Sequence, residues 1–532
     1  MRLLNQNFMA RILLHTCCGI CAGHCVSLLQ SQGHEVVLFY SNANIAPASE
    51  FERRLKAVDT LCAHFGVPVI VDTPNHREWL ERVARGFERE PERGARCPRC
   101  FRYSLERAAR TARERDFDFF TTTLSVSPHK PSKTIFEIGK SVDAERFLEV
   151  DFKKQDGFKK TNTISRSLDL YRQSYCGCEF SLRDALAQRR TATPKTAEML
   201  SDRPEDIALA GSLLRAGGLV AIPTETVYGL AANAFDENAV RSIFSAKGRP
   251  FIDPLIVHVH SLEQAETLAD TAHPAVEKLA KAFWPGPLTL VLPKKATVPD
   301  IVTAGEPTVA VRMPVHPVAR KILRAAEVPL AAPSANPFGY VSPTTAQHVL
   351  QSLGERLDYI VDGGACDCGI ESTIVLVGET VRILRLGIIT REDLEKALGT
   401  EFSVEIGKGL LEKKAEEAEM QTAQIAPGML KKHYSPRAKV ELWENAIPNL
   451  EDATGKTALV FQKRPGSLPA LSENATAFWL SEDGDQATVA RSVFALLRRL
   501  DDAGFSDIRI ERSPNDGIGA AVNDRLSRAA AR

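Results

Sequence analysis

The stretch that decides the fold at the start of the chain is residues 12–21, ILLHTCCGIC, an apolar run that ends in hydroxyl and thiol side chains. Apolar runs and segments with helical spacing alternate after it, at residues 18–30, 36–40, 49–65 and 67–71. This alternation predicts a doubly wound parallel α/β sheet. Ligands bind at the carboxyl ends of the strands in such sheets, so the adjacent cysteines are expected at a functional edge.

Length and composition indicate an ordinary globular chain of several domains. The chain has 532 residues, of which 44% are hydrophobic and 25% charged, and 67 basic residues balance 67 acidic ones. No apolar run approaches the roughly 20 residues that span a bilayer, and the N-terminus lacks the pattern of a signal peptide. We therefore expect a cytoplasmic protein without membrane contact.

Polar stretches at residues 189–202 and 408–428 predict boundaries between domains. An α/β pattern returns between them. It returns once more near the C-terminus, where segments at residues 439–443 and 457–461 are followed by a helix at 486–503, a strand at 507–510 and a final helix. The chain is thus predicted to hold an N-terminal domain, a central α/β domain and a smaller C-terminal one.

The cysteines indicate metal or redox chemistry, because nine of the eleven lie before residue 180. A disulfide framework does not suit a long chain without a secretory signal. Two separated Cys-x-x-Cys units can complete a four-thiolate site. Structural zinc leaves several thiols over, so an iron–sulfur site is favoured, with zinc and metal-free redox thiols as alternatives. Cys62 lies in an apolar helical pattern and is expected in the core.

Three cysteine motifs in order, LHTCCGIC (14–21), CPRC (97–100) and YRQSYCGC (171–178), resemble the QueH family of epoxyqueuosine reductases. The resemblance implies reduction of epoxyqueuosine in tRNA to queuosine, with electrons from an unidentified donor. It implies a 4Fe-4S cluster on Cys17, Cys18, Cys97 and Cys100. Cys176 and Cys178 are then a redox-active pair or ligands of an additional iron, and Cys21 is a further candidate ligand.

An arginine-rich segment surrounds the CPRC motif, with eleven arginines against five glutamates at residues 82–115. The planar guanidinium suits phosphate groups, so we predict a tRNA-facing surface here. A solvated amphipathic helix is the plainer alternative. His15 is either a proton donor or a buried structural histidine. The residues expected at tRNA are Arg96, Arg99 and Arg102, with Phe101 and Tyr103 stacking on bases.

The central part has no P-loop motif but carries several short motifs, PTETVYGL (223–230), KGRP (247–250), WPGPLT (284–289), VRMP (311–314), PSAN (333–336), STIV (372–375) and RLG (385–387). Together they resemble the YrdC-like threonylcarbamoyl-AMP synthases over residues 205–395. The resemblance implies threonylcarbamoyl-AMP formation from L-threonine, bicarbonate and ATP with Mg2+, with pyrophosphate released. A downstream threonylcarbamoyl transferase would consume the product.

The same resemblance implies the binding residues. The threonine pocket would comprise Thr226, His258, Arg312, Ala332 and Ser372. The ATP contacts would be Lys247, Arg249, Asp253, Thr308, Ser334, Ser342, Arg385 and Tyr434. Asp253 replaces a commoner asparagine and is a candidate for Mg2+. Cys366 and Cys368 are expected to be exposed loop thiols, with a metal-binding Cys-x-Cys pair as the alternative.

The last part resembles the C-terminal region of two-domain synthases, through APGMLKKHYSP (426–436) and GIGAAVNDRL (517–526). The first segment would fold over the active site and the second would belong to a small Rossmann-like domain that supports it. The expected domains are a QueH-like domain at 1–190, a twisted-sheet YrdC-like domain at 203–398, a linker at 399–436 and the small domain at 437–532.

These patterns together predict a bifunctional tRNA-modification enzyme, an epoxyqueuosine reductase fused to a threonylcarbamoyl-AMP synthase. The alternative is a metal-containing tRNA-binding protein with a nonenzymatic nucleotide-binding module.

Overall fold

The computed structural model describes residues 9–73, 75–173, 175–192, 196–407, 426, 434–450, 455–468, 471 and 473–531. The chain divides into two compact units, Met1–Ala192 and Thr193–Arg532. In the described part, no helix is both long enough and apolar enough to cross a membrane.

The N-terminal unit is built on a four-stranded sheet, all of whose strand pairs are parallel, in the order β3-β2-β1-β4. Its strands are β1 (Arg11–His15), β2 (Glu35–Tyr40), β3 (Val69–Val71) and β4 (Phe119–Thr122). Its helices are α1 (Gly19–Ser31), α2 (Ala48–Phe65), α3 (His76–Trp79), α4 (Arg96–Glu114), α5 (Ser132–Val142), α6 (Gly157–Ser167) and α7 (Glu179–Ala192).

Both faces of this sheet are buried, which explains why its central strand is apolar throughout. Ile12 and Leu14 of β1 pack into a core with residues of α1 and α2, while Leu13 packs into a second core with residues of α4 and α5. Alternate side chains of a strand point to opposite faces, so a strand covered on both sides must be continuously apolar. The predicted parallel α/β class is confirmed.

The second unit contains a mixed sheet of eleven strands in the order β15-β14-β13-β9-β10-β8-β11-β7-β6-β12-β5. The strands are β5 (Glu198–Leu200), β6 (Val220–Ile222), β7 (Gly229–Asn233), β8 (Ile256–His258), β9 (Leu288–Pro293), β10 (Thr308–Arg312), β11 (Leu330–Ala331), β12 (Tyr359–Val361), β13 (Thr373–Leu376), β14 (Thr380–Arg385) and β15 (Ser403–Ile406). The helices are α8 (Pro204–Arg215), α9 (Glu237–Lys247), α10 (Leu262–Glu266), α11 (Pro274–Phe283), α12 (Asp300–Thr303), α13 (Pro317–Ala326), α14 (Ala346–Leu353) and α15 (Arg391–Leu398).

Part of the polar stretch predicted to be a domain boundary, residues 189–202, is a strand. Strand β5 pairs in parallel with β12 at the edge of the large sheet. An edge strand pairs on one side only and tolerates polar residues, which is why its sequence does not read as a strand.

A second, four-stranded parallel sheet closes the chain, in the order β16-β19-β17-β18. Its core includes Val227, Val341 and Ile370 from the part of the unit that carries the large sheet, so the two sheets belong to one packed body. Its elements are β16 (Lys439–Trp443), β17 (Thr457–Lys463), β18 (Ala475–Ser481), α16 (Gln486–Asp502), β19 (Asp507–Glu511) and α17 (Gly517–Ala530).

Candidate functional site

Three thiols meet where β1 gives way to α1 in the N-terminal unit. The sulfur atoms of Cys17, Cys18 and Cys21 all lie within 4.8 Å of one another, and those of Cys17 and Cys18 are 4.0 Å apart. A Cβ on Gly19 would lie 2.6 Å from the carbonyl oxygen of Ala57. The glycine therefore lets α1 approach α2 closely and fixes the flanking cysteines.

The three thiols change one another's pKa values. Hydrogen bonds from the thiols of Cys18 and Cys21 hold the pKa of Cys17 well below its usual range. The same contacts and burial raise the pKa of Cys21, so Cys17 ionises more readily than Cys21. Two polar groups lie beside these sulfur atoms: Gln173 donates an amide hydrogen to Cys18 Sγ at 3.2 Å, and Thr123 Oγ1 lies 3.6 Å from Cys17 Sγ. Thiolates are the ligands that iron and zinc prefer.

Cys97 and Cys100 lie one turn apart at the start of α4, and both are half-buried. Within the described residues, the group of thiols close enough to share one ion is residues 17, 18 and 21 and does not include these two. Burial, and then the negative potential of Cys176 and Cys178, raises the pKa of Cys100. The CPRC motif therefore lies in the electrostatic neighbourhood of the Cys-Gly-Cys loop.

That loop, residues 176–178, is held by a buried arginine of α2. Arg54 is 2% exposed and donates to the carbonyl oxygens of Cys176 at 2.8 Å and Tyr175 at 3.1 Å. Glu50 accepts a charged hydrogen bond from Arg54 at 2.7 Å. Charge-assisted bonds of this kind fix orientation strongly, so the loop backbone is preset independently of any bound group.

A lysine that no motif indicated lies near both groups of thiols. Burial alone would lower the pKa of Lys130, but its electrostatic interaction with Cys176 and Cys17 raises it above its usual value. Its ammonium also lies 6.0 Å from the centre of the Phe101 ring. Lys130 therefore supplies positive charge where the cysteines supply negative charge.

His15 has the structural role rather than that of a free proton donor. The ring is 1% exposed, with Nδ1 2.9 Å from Thr122 Oγ1 and Nε2 3.2 Å from the carbonyl oxygen of Ser41. Burial lowers its pKa. Both ring nitrogens are thus engaged within the sheet edge.

The prediction that Arg96 faces tRNA is wrong. Its side chain turns inward and is 2% exposed. It donates to three backbone carbonyl oxygens, those of Phe87, Glu88 and Glu90. The loop before α4 presents three orphan acceptors, and a buried arginine that satisfies them cannot also reach a phosphate.

The other residues predicted to face tRNA are of two kinds, exposed arginines and buried aromatic rings. Arg99 and Arg102 are exposed on α4, although Arg99 also donates to the carbonyl oxygen of Arg82 at 2.8 Å. Phe101 and Tyr103 are 6% and 5% exposed, so their rings are not available for stacking on bases. Their positions correspond to the inward face of an amphipathic helix.

A pocket in the second unit brings together residues from six of the seven central motifs and from the segment 426–436. Many residues predicted to bind threonine or ATP line it, namely Thr226, Arg249, His258, Arg312, Ala332, Ser334, Ser372, Arg385 and Tyr434. Most of them lie at strand ends or in the loops that follow, which is where mixed sheets present functional side chains.

The arginine at the end of β10 is held by a carboxylate. Arg312 donates from Nη1 to Thr226 Oγ1 at 2.8 Å and pairs through Nη2 with Glu225 Oε1 at 2.7 Å. Burial alone would raise the pKa of Glu225, but Arg312 lowers it overall. Glu225 therefore stays charged and fixes the guanidinium, although no motif assigned it this role.

His258 faces the same pocket as a neutral imidazole. Burial, assisted by the positive charge of Arg312, lowers its pKa to about 3. Its Nδ1 has no hydrogen-bond partner among the described residues. A buried polar atom without a partner is costly, and a ligand in the pocket would provide one.

The KGRP motif forms a buried corner at the end of α9, where burial, and then the charge of Arg249, lowers the pKa of Lys247. Lys247 donates to the carbonyl oxygens of Ser334 and Asn336, the latter at 2.6 Å. Arg249 pairs with Asp253 at 3.0 Å, and Asp253 is fully buried. The carboxylate thus faces Arg249, and it does not line the pocket itself.

Two further ATP predictions fall at different distances from the pocket. Thr308 is the first residue of β10 and Arg312 the last, so about 13 Å separates them at the rise of a strand. Thr308 therefore lies outside the pocket. Ser342 is fully buried and donates to Glu371 Oε1 at 2.6 Å, directly behind the pocket wall.

Arg385 is anchored to the loop that precedes β13. It donates to the carbonyl oxygen of Ser372 at 3.0 Å and to the Ser372 hydroxyl at 3.0 Å. Thr289 Oγ1 lies 2.8 Å from the same hydroxyl. Three predicted motifs therefore meet at one serine.

Comparison with known proteins agrees with both sets of motifs. Residues 12–184 match the family model described as epoxyqueuosine reductase QueH, residues 212–387 the Sua5, YciO and YrdC family described as telomere recombination, and residues 389–531 the threonylcarbamoyl-AMP synthase C-terminal domain. Threonylcarbamoyl-AMP synthase of Pyrococcus abyssi is 42% identical over 328 residues, which cover 61% of this chain and 93% of the relative. Epoxyqueuosine reductase QueH of Streptococcus pyogenes is 35% identical over 182 residues, which cover 32% of this chain and 69% of the relative. The chain belongs to both families.

A solved structure shows that the similarity to threonylcarbamoyl-AMP synthases extends to the fold. Pyrococcus abyssi Sua5 complexed with L-threonine is 40% identical, with a TM-score of 0.56, and the match covers 62% of this chain and 96% of that one. The large sheet and the C-terminal sheet of the synthase-family unit thus have a counterpart in one solved protein.

In the synthase-family unit, the prediction that the loop thiols of Cys366 and Cys368 are exposed is wrong for Cys366. Cys366 is 2% exposed, and burial raises its pKa. Its amide donates to the carbonyl oxygen of Thr344 at 2.9 Å, and that of Cys368 to the carbonyl oxygen of Glu225 at 2.7 Å. These bonds pull the loop against the segment that holds Arg312.

Tyr434 is the described residue of the predicted linker that reaches the pocket; residues 408–425 and 427–433 lie outside the described part. Its ring is 1% exposed and stacks on Phe494 with 5.4 Å between ring centres. Burial raises its pKa to about 12. The tyrosine hydroxyl therefore stays protonated at the pocket wall.

Proposed function

We propose that this chain is a bifunctional tRNA-modification enzyme that reduces epoxyqueuosine in tRNA and forms threonylcarbamoyl-AMP. The observation that carries the proposal is the presence of two chemically distinct sets of side chains, thiols in one compact unit and paired cations in the other. The QueH-family unit performs the reduction and the synthase-family unit the nucleotidyl transfer.

The thiol donors of the QueH-family unit fit an iron–sulfur cluster. Cys17, Cys18 and Cys21 offer three sulfurs at one place, and Cys97 and Cys100 provide further thiolates from α4. When bound, such a cluster supplies electrons one at a time. Epoxide reduction consumes two electrons and two protons and releases the oxygen as water, so protein groups must also deliver protons.

The surrounding residues bind the substrate and balance charge. Lys130 places a cation beside the thiolates, where it stabilises negative charge that develops on the epoxide oxygen as the C–O bond breaks. Arg99 and Arg102, exposed on α4, contact tRNA phosphates near the anticodon. Cys176 and Cys178, held by Arg54, are a redox pair or ligands for an additional iron.

The reductase proposal is tested with tRNA that carries epoxyqueuosine. Anaerobically purified protein with a low-potential reductant should convert the modified nucleoside to queuosine, measured by mass spectrometry after tRNA digestion. Binding of the tRNA without conversion, by protein that contains its full complement of iron, would instead support the binding-protein alternative.

In the synthase-family unit, Arg312 binds the carboxylate of L-threonine, while His258, Ala332 and Ser372 surround the rest of the amino acid. Bicarbonate condenses with the amino group, and the resulting carbamate oxygen attacks the α-phosphate of ATP. The bond to pyrophosphate breaks, and negative charge builds on the phosphoryl oxygens. Fixed cations stabilise that charge without reorganisation, the part we assign to Lys247, Arg249 and Arg385.

Tyr434 covers the pocket beside the nucleotide and excludes water, which protects a hydrolysable mixed anhydride. Mg2+ accompanies ATP, and a threonylcarbamoyl transferase acts on the product. The test is pyrophosphate release that requires ATP, threonine and bicarbonate together. ATP binding without release under these conditions would refute the synthase proposal.

A further inference from the structure

A buried arginine of the C-terminal sheet domain reaches the wall of the nucleotide pocket. Arg525 of α17 is fully buried. Its Nε pairs with Glu371 Oε2 at 2.9 Å, and its Nη2 donates to the carbonyl oxygen of Leu386 at 2.8 Å. A single side chain is thus bonded to two segments that lie next to predicted substrate residues, Ser372 and Arg385.

Glu371 stands between this arginine and the pocket. Its side chain is 8% exposed and lines the cavity, and its other oxygen accepts the hydroxyl hydrogen of Ser342 at 2.6 Å. A buried carboxylate beside the phosphates of ATP repels them strongly where the dielectric constant is low. The arginine is the charge that cancels this repulsion.

A neighbouring acid, Asp524, adds a second negative charge that Arg525 helps to neutralise. Asp524 pairs with Arg525 at 2.7 Å and with Arg528 at 3.0 Å. Two arginines and two acids therefore form a neutral set behind the pocket. Loss of Arg525 would leave two buried or half-buried carboxylates with one cation.

A second arginine of the same domain holds the backbone of Ser342. Arg498 of α16 is 2% exposed and donates to the carbonyl oxygens of Val341 and Ser342, at 2.5 and 3.3 Å. Ser342, whose hydroxyl donates to Glu371, is therefore also fixed at its backbone. The backbone attachment comes from Arg498 of the C-terminal domain, and the hydroxyl attachment is made by Glu371, which Arg525 of that domain holds.

We propose that Arg525 is a positioning residue of the synthase site, which neutralises Glu371 in the wall of the nucleotide pocket and, through Glu371, fixes Ser342 behind that wall. The C-terminal domain is then part of the nucleotide site and not only its cover. The inference rests on the proposed synthase function and deepens it, because it names a residue to which the motifs assigned no role in ATP affinity.

The experiment is a double-mutant cycle on the full chain, with ATP–Mg2+ affinity measured by calorimetry. Arg525→Gln should weaken ATP binding at least about tenfold, because it leaves Glu371 unpaired. Addition of Glu371→Gln should restore affinity to within about threefold of the Glu371→Gln single variant, since the charge is gone but Ser342 keeps an acceptor. Threonine affinity should change less than about twofold in all three variants.

Arg512→Gln is the matched control, because Arg512 pairs with the exposed Glu444 in the same domain. It should leave ATP affinity unchanged. Where Arg525→Gln fails to fold, Arg525→Lys keeps the charge without the fork and should weaken ATP binding more than threonine binding.

Unchanged ATP affinity in Arg525→Gln would overturn the proposal. So would a parallel loss of ATP affinity, threonine affinity and melting temperature that Glu371→Gln does not rescue, since that pattern belongs to a structural residue. Failure of the synthase proposal is a separate result: the wild-type chain would bind ATP but release no pyrophosphate, and the cycle could still be measured.

Discussion

The two candidate sites differ in how they balance charge. In the QueH-family unit, hydrogen bonds from Cys18 and Cys21 lower the pKa of Cys17, and the nearby cysteines raise the pKa of Lys130. In the synthase-family unit, three arginines are paired with Glu225, Asp253 and Glu371 at 2.7–3.0 Å. Ion pairs within the chain thus fix the positions of these arginines around the pocket.

This difference indicates how each site depends on what it binds. A preorganised pocket needs only its substrates, and its arginines lose little freedom when they bind. A set of thiols acquires its function with the metal, and metal binding also stabilises the fold that holds it. Perturbations of metal or redox state should therefore affect one unit and spare the other.

The largest expected effect separates the units by metal. Protein purified anaerobically should be brown, and Cys97→Ser or Cys100→Ser should abolish the visible absorption of the iron–sulfur centre together with reductase activity. Pyrophosphate release should be unaffected, since it uses no thiol. A colourless wild-type protein with one zinc per chain after anaerobic reconstitution would contradict this prediction.

The next effect tests the preorganised pocket. Arg312→Lys removes the fork that binds a carboxylate in two places, so the KM for threonine should rise about a hundredfold. Arg382→Lys, on the exposed side of β14, is the matched control and should leave KM unchanged. Equal KM values in the two variants would exclude Arg312 from the threonine pocket.

A smaller effect concerns the acid stability of the synthase-family unit. The folded pKa of His258 is about 3, below its ordinary 6.5, so the unfolded chain binds a proton that the folded one excludes. The contribution of His258 to the free energy of unfolding is fully present above pH 6.5. It is lost as pH falls towards 3, by up to about 1.4 kcal/mol per pH unit.

The measurement compares melting temperatures of wild type and His258→Gln at pH 7, 6 and 5. The variant should lose stability less steeply below pH 6.5. Parallel pH profiles would show that His258 titrates normally in the folded chain.

The smallest effect concerns tRNA. Arg99→Gln and Arg102→Gln should each weaken binding a few-fold and reduce the slope of log affinity against log salt by about one. Arg96→Gln should instead lower the melting temperature, because three carbonyl acceptors lose their donor. An unchanged salt dependence in the double variant of Arg99 and Arg102 would remove α4 from the tRNA surface.

The sequence was sufficient for the α/β class and for the two families, because these depend on local patterns. β16 was predicted as residues 439–443 and is found at Lys439–Trp443, since alternating apolar residues read directly as a strand. The motif residues Thr226, Arg312 and Ser372 were also found in one pocket. Their exact roles stay predictions.

Contacts between residues that are far apart in the sequence could not be predicted. Glu371 and Arg525 are 154 positions apart, and neither the acid nor the base lies in a pattern that names its partner. The predictions that Arg96 and Cys366 are exposed were wrong for a related reason. The exposure of a side chain depends on which backbone hydrogen-bond donors and acceptors a loop presents, and these follow from packing.

The central claim is that one chain carries two independent active sites. The most direct test assays Cys100→Ser and Arg312→Lys side by side for conversion of epoxyqueuosine in tRNA and for pyrophosphate release with threonine and bicarbonate. We predict that Cys100→Ser loses the first activity and keeps the second, and that Arg312→Lys does the reverse. Loss of both activities in either variant, or absence of one activity from the wild-type chain, would contradict the account.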